Sequence, residues 1–219
     1  MELLDGFDLE TLVTRFGPLP AERAVHLLKQ VCHSLGEAHD AGLIHRDIKP
    51  ANVYVCRFGR DVDFVKVLDF GLVKSQDEGQ TLVAVTADHV VRGTPGFMSP
   101  EQALGDRPVD ARADIYAVGC LAYWMVTGEL VFSGRTPIET LIHHTQTPPV
   151  PPSQRTELAI PPSLDEVILA CLRKNADDRP AGADALLARL ADIETDAAWT
   201  HERALQWWEL RSPRTAPIA

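Results

Sequence analysis

The run His45-Arg46-Asp47-Ile48-Lys49-Pro50-Ala51-Asn52, followed downstream by Asp69-Phe70-Gly71, constrains this chain more than any other feature. So many charged and polar side chains cannot fill a core, and the apolar runs beside them show what holds them. Leu43-Ile44 and Val53-Tyr54-Val55 read as short strands flanking the run, and Val65-Lys66-Val67-Leu68 as another leading into Asp69. The chemistry therefore sits on loops between strands. Asp47 is suited to accept a hydroxyl proton and Lys49 to neutralise charge on a moving phosphate. Asn52 and Asp69 are suited to hold Mg2+ against a nucleotide.

Around these loops the pattern is mostly helical. Leu9, Leu12 and Val13 give a short helix, which Gly17-Pro18-Leu19-Pro20 breaks. Ala24, Val25, Leu28, Val31, Cys32 and Leu35 recur at helical spacing over about 21–39, and Gly42 closes that helix. Further helices are expected over 114–128, 137–145, 164–174 and 181–193. Residues 72–99 are polar, threonine-bearing and weakly periodic, the mark of a functional loop. The proline-rich stretch 148–162 has helical patterns on both sides and reads as an ordered surface loop. The fold class is mainly α with short β-hairpins.

With 219 residues, 45% hydrophobic and 24% charged, the chain can bury one sizeable core. A net charge of -10 without clustered lysine and arginine argues against a nucleic-acid partner or an anionic membrane surface. The longest apolar stretch, 117–126, is shorter than the roughly 20 residues a membrane span needs, and no signal peptide opens the sequence. Cys32, Cys56, Cys120 and Cys171 show no C-x-x-C spacing and lie in or beside apolar stretches. Buried, reduced thiols and a cytoplasmic location follow. His143, His144 and His201 lack a third partner at metal-ligand spacing, so no zinc site is expected.

The extended pattern His45 to Asn52 with Asp69-Phe70-Gly71, then Gly93-Thr94, Ser99-Pro100-Glu101, Asp110 to Tyr116 and Asp177-Asp178-Arg179-Pro180, resembles the Ser/Thr protein kinases, in particular the eukaryotic-type kinases of bacteria. The resemblance covers nearly all of 1–193 and implies the helical C-terminal lobe of that fold from the hinge onward, with 194–219 as a tail. It implies ATP-dependent phosphorylation of protein serine or threonine, with ATP and Mg2+ as cofactors and proteins as substrates. Asp47 would be the base, Lys49 the phosphate stabiliser, and Asn52 and Asp69 the metal ligands. Thr94 would bond the catalytic aspartate and lysine.

His45 would pack on Phe70, and Asp114 would tie down the catalytic-loop backbone. Glu101 would pair with Arg179 as a buried brace. Arg46 would receive a phosphorylated loop residue, for which Thr81 and Thr86 are candidates. Met1-Glu2-Leu3-Leu4 resembles the hinge, so backbone groups of Glu2 and Leu4 would meet adenine, Asp8 would reach the ribose, and Tyr54 would form the adenine floor. No glycine-rich loop or strand lysine precedes His45. The resemblance thus implies a missing first lobe, impaired ATP binding and an apolar lobe face open to that lobe or another partner. A non-catalytic binding lobe and a small-molecule phosphotransferase are the alternatives. Trp199, Trp207 and Trp208 in the tail read as a helix packed on the last helix of the lobe, with a docking element as the alternative.

Overall fold

The structure, a computed structural model, describes residues 4–70 and 94–212. Strand β1 (Asp5–Asp8) turns directly into helix α1 (Leu9–Phe16). The Asp8 carboxylate makes the turn by accepting the Thr11 N–H at 2.7 Å and the Thr11 hydroxyl at 3.1 Å, satisfying one of the free donors of the first helical turn. Helix α2 (Ala21–Asp40) buries the stripe Ala24, Leu28, Val31, Cys32 and Leu35. The chain then runs extended to a single 3₁₀ turn, Pro50–Asn52, and into the hairpin β2 (Val53–Phe58) and β3 (Asp61–Val67).

β1 joins this hairpin as the third strand of an antiparallel sheet ordered β1-β2-β3, with Asp8 opposite Tyr54 and Val53 opposite Val67. Two expectations change here. Leu43-Ile44 forms no strand, because Leu43 faces solvent and the sheet edge is taken by β1. The strand at Asp5–Asp8 was not legible, since Asp-Gly-Phe-Asp carries little β-propensity.

The remainder is helical: α3 (Pro100–Leu104), α4 (Ala111–Thr127), α5 (Pro137–Gln146), α6 (Pro162–Cys171), α7 (Ala183–Ala191) and α8 (His201–Arg211). Helix α4 is buried on nearly every side, as its almost uniformly apolar sequence requires. It can approach α6 closely only because Gly119 has no side chain: a Cβ there would stand 2.6 Å from the Cys171 Cβ. The four cysteines are buried and form no disulfide. No described helix is long and apolar enough to cross a membrane.

The tail packs differently from the expected stacking on the last lobe helix. The apolar face of α7 is already taken by α2 and α6, so α8 folds back across β3 and the first two helices. There Trp208 stacks on Phe7 with ring centroids 5.8 Å apart, and Trp207 meets Phe16 edge-on at 5.0 Å.

Candidate active site

Asp114, in the first turn of α4, fixes the start of the loop from His45 to Asn52. Its carboxylate is fully buried and accepts the backbone N–H of His45 at 2.9 Å and of Arg46 at 2.8 Å. Arg46 is held at φ +65, a left-handed conformation uncommon for such a residue, and the bonded N–H groups secure it. A third partner, His39 Nε2, lies 2.9 Å from the same carboxylate. His39 was not singled out from sequence, although it follows Leu35 by one helical turn and so lies on the core side of α2.

His45 links the loop to the strand that carries Asp69. Its Nε2 is 2.9 Å from the Leu68 carbonyl, which can only accept, so in the neutral ring Nε2 bears the proton. Nδ1 is then free to accept the Asp47 N–H at 3.3 Å. The ring also meets Phe70 edge-on at 4.9 Å.

Three of the four proposed chemical groups share hydrogen bonds. Lys49 Nζ donates to Asp47 Oδ2 at 2.7 Å, and Asn52 Nδ2 donates to the same oxygen at 3.1 Å and to the Asp47 carbonyl at 2.8 Å. The Asp47 carboxylate remains 47% exposed. The fourth group is placed by the sheet. The β2–β3 ladder ends at Val53 opposite Val67, and the Leu68 N–H donates to the Asn52 carbonyl at 2.8 Å. Asn52 and Asp69 thus flank the same end of one hairpin, with Asp69 exposed and left-handed at φ +56.

Other expected site residues fall elsewhere. Thr94 is exposed, and among the described residues its hydroxyl makes no bond to Asp47 or Lys49, which are paired with each other. The Asp8 carboxylate is taken up in capping α1 rather than left free for a ribose. Tyr54 donates its hydroxyl to the Gly6 carbonyl at 2.8 Å. Burial, with the negative charge of Asp8 beside it, pushes that phenol up, so it stays neutral. Leu4 is partly buried at the entry to β1. Glu2, Thr81 and Thr86 lie outside the described residues.

A second polar construction braces the loop from the far side. Arg179 Nη1 and Nη2 donate to Glu101 Oε1 and Oε2 at 2.7 and 2.8 Å, a bidentate pair with both side chains buried. The three other N–H groups reach the carbonyls of Arg173, Arg112 and Lys174 at 2.7, 2.9 and 3.1 Å, so all five donors are satisfied. Burial alone would raise the Glu101 carboxyl, but the hydrogen bonds and charge of Arg179 hold it below the usual carboxylate value. The brace reaches the site through neighbours: Gln102, next to Glu101, donates to the Arg46 carbonyl at 3.0 Å, and Arg112 lies in the same turn as Asp114.

Comparison with known proteins gives the family. The chain is 42% identical over 197 residues to the serine/threonine-protein kinase pkn3 of Myxococcus xanthus, covering 90% of this chain and 36% of that protein. It is 36% identical to the serine/threonine-protein kinase PknB of Mycobacterium tuberculosis, covering 100% of this chain and 35% of that one. The chain therefore spans about a third of the length of these relatives. In fold it matches a crystal structure of Rad53 1-466 in complex with AMP-PNP at a TM-score of 0.70, with 23% identity, over 88% of this chain and 46% of that one. The family model described as protein kinase domain matches residues 1–190, and the chain belongs to that family.

Proposed function

We propose that this chain supplies the catalytic-loop half of a kinase that transfers the terminal phosphoryl group of ATP to serine or threonine of protein substrates. The observation that carries this reading is the shared bonding of Asp47, Lys49 and Asn52 at the hairpin end that also bears Asp69. Asp47 orients the substrate hydroxyl and accepts its proton through its exposed carboxylate oxygen. Lys49, already on that carboxylate, steadies the negative charge of the phosphoryl group in flight. The donor set suits a hard cation. Both Asn52 amide hydrogens are directed at Asp47, and among the described residues its Oδ1 accepts no hydrogen bond, leaving that oxygen and the exposed Asp69 carboxylate for Mg2+. When bound, Mg2+ supplies charge neutralisation at the phosphate oxygens. Lys49-Pro50 beside the base favours serine and threonine over tyrosine, as the names of the relatives do.

The Arg46 side chain is exposed beside the base and is suited to receive a phosphate on Thr81 or Thr86, which would order the loop between the two halves of the site. The backbone of Glu2 and Leu4, which precede β1 in the sequence, would meet adenine. Four buried cysteines without a disulfide support a reducing, cytoplasmic setting.

The test is transfer of labelled phosphate from ATP to a generic basic protein, measured for the chain alone and for a chimera with a glycine-rich nucleotide clamp ahead of residue 4. The expected result is Mg2+-dependent transfer onto serine and threonine by the chimera and little by the chain alone. An inert chimera that binds Mg-ATP would refute the catalytic reading and favour a non-catalytic binding lobe.

A further inference from the structure

β3 carries an irregularity in its pairing with β2. Asp61 pairs with Phe58 and Phe64 with Cys56, so three steps along β3 oppose two along β2. This is a bulge, and it buries two successive residues, Val62 and Asp63, where strand alternation would bury only one. Asp63 takes the left-handed conformation, φ +55, which aspartate tolerates better than most residues. Its carboxylate is fully buried and accepts four hydrogen bonds. Arg23 Nε and Nη2 donate at 2.9 and 2.7 Å, Trp199 Nε1 at 2.8 Å and Trp208 Nε1 at 2.7 Å.

Gln30, two turns after Arg23 on α2, spans the backbone at the bulge. It donates to the Asp63 carbonyl at 2.8 Å and accepts the Val65 N–H at 3.1 Å. Arg23 lies against aromatic faces, its guanidinium carbon 3.8 Å from the Trp207 ring centroid and 5.1 Å from that of Trp199. The family model ends at residue 190, so both indole donors come from chain beyond the matched region.

We infer that Asp63 is a positioning residue for the Asn52–Asp69 pair, held in place by Arg23 and the tail tryptophans Trp199 and Trp208. From Asp63 the strand continues to Val67, opposite Val53, and Leu68 then bonds Asn52. The bulge thus sets which β3 residue faces Asn52. Losing it slips the register by one and turns each following side chain to the opposite face, carrying Asp69 away from Asn52. α8 acts as a clasp that holds the bulge, and through it the spacing of the two oxygen donors. The consequence for metal binding rests on the reading of Asn52 and Asp69 given above, whereas the register role does not.

The test uses the 219-residue chain with Trp199→Phe and Trp208→Phe together, which keep aromatic bulk but remove both indole N–H donors. Asp63→Asn is the second variant, since it keeps a residue tolerant of the left-handed backbone. Leu186→Ala in α7 is the control, with all proteins compared at temperatures equally far below their own melting points. The expected result is amide exchange at Leu68 at least tenfold faster in the clasp variants than in the control, with shifted Asn52 and Asp69 backbone resonances and unchanged α4. Leu68 exchange equal to the control, with Asn52 and Asp69 resonances unmoved, would overturn the proposal and leave the cluster as stabilisation only. If the double variant does not fold, Trp208→Phe alone gives the same comparison. A failed phosphate-transfer assay would leave the Leu68 result untouched, so the two readings fail separately.

Discussion

Replacing Arg179 by alanine is expected to lower the stability of the fold by about 3–5 kcal/mol, because it leaves the buried Glu101 carboxylate with only the partly exposed Arg107, at 3.7 Å, as a cationic partner and takes a donor from each of three carbonyls. Against a total of roughly 5–15 kcal/mol for a native domain, that loss is enough to populate unfolded chain at moderate temperature. The pH dependence has a definite sign. In the wild type the folded Glu101 carboxyl lies below its ordinary value of 4.5, so the folded state binds fewer protons than the unfolded one in that window. Its contribution is complete above that value and is lost as pH falls through the depressed one.

In Arg179→Ala the burial remains, the bidentate pair is gone and only Arg107 at 3.7 Å is left, so the carboxyl moves up and acid relieves the poorly paired charge. Urea denaturation at pH 7.5 and pH 4.5 should therefore show a large stability gap at the higher pH and a smaller one at the lower. A gap below about 1 kcal/mol, or one independent of pH, would mean that the brace matters little.

Asp47→Asn is expected to act the other way, removing chemistry while leaving the fold intact. The carboxylate is half exposed, and asparagine keeps one oxygen to accept from Lys49 and Asn52, so stability should change by no more than about 0.5 kcal/mol. In the clamp-bearing chimera, the turnover number should fall by about 10²–10⁴-fold, the usual contribution of a positioned general base. The KM for ATP should hold nearly constant, because Asp47 faces the acceptor hydroxyl. A fall of less than tenfold would remove Asp47 from the role of base. Together the two variants separate the brace, which acts on folding, from the loop, which acts on reaction.

How much of this could be read from sequence depended on distance along the chain. The loop from His45 to Asn52 was legible because its groups are contiguous and flanked by apolar runs. The long helices were legible through periodicity, with ends within a few residues of those found. Glu101 and Arg179, 78 positions apart, came only through the family resemblance. Residues whose role is set by remote partners were missed or misread. Asp8 faces the end of a helix that its own side chain starts, and Leu43-Ile44 has the composition of a strand although β2 is already flanked by β1 and β3. Asp63 lies just ahead of the expected strand at Val65 and drew no reading, because neither the bulge nor two indoles more than a hundred residues away leaves a local signal. The tryptophans announced a packed tail. Their target depended on which apolar faces the rest of the chain had already covered.

The central claim is that Asp47, Lys49, Asn52 and Asp69 surround one metal–nucleotide site. The most direct measurement is paramagnetic broadening of the nuclear magnetic resonance spectrum of the clamp-bearing chimera by Mn2+, standing in for Mg2+, with millimolar ATP. The account predicts selective broadening of the Asn52 side-chain amide and of the backbone amides of Asp47, Lys49 and Asp69, with the Glu101–Arg179 region left sharp. Broadening centred on a different surface, with the Asn52 amide unaffected at saturating Mn-ATP, would contradict it.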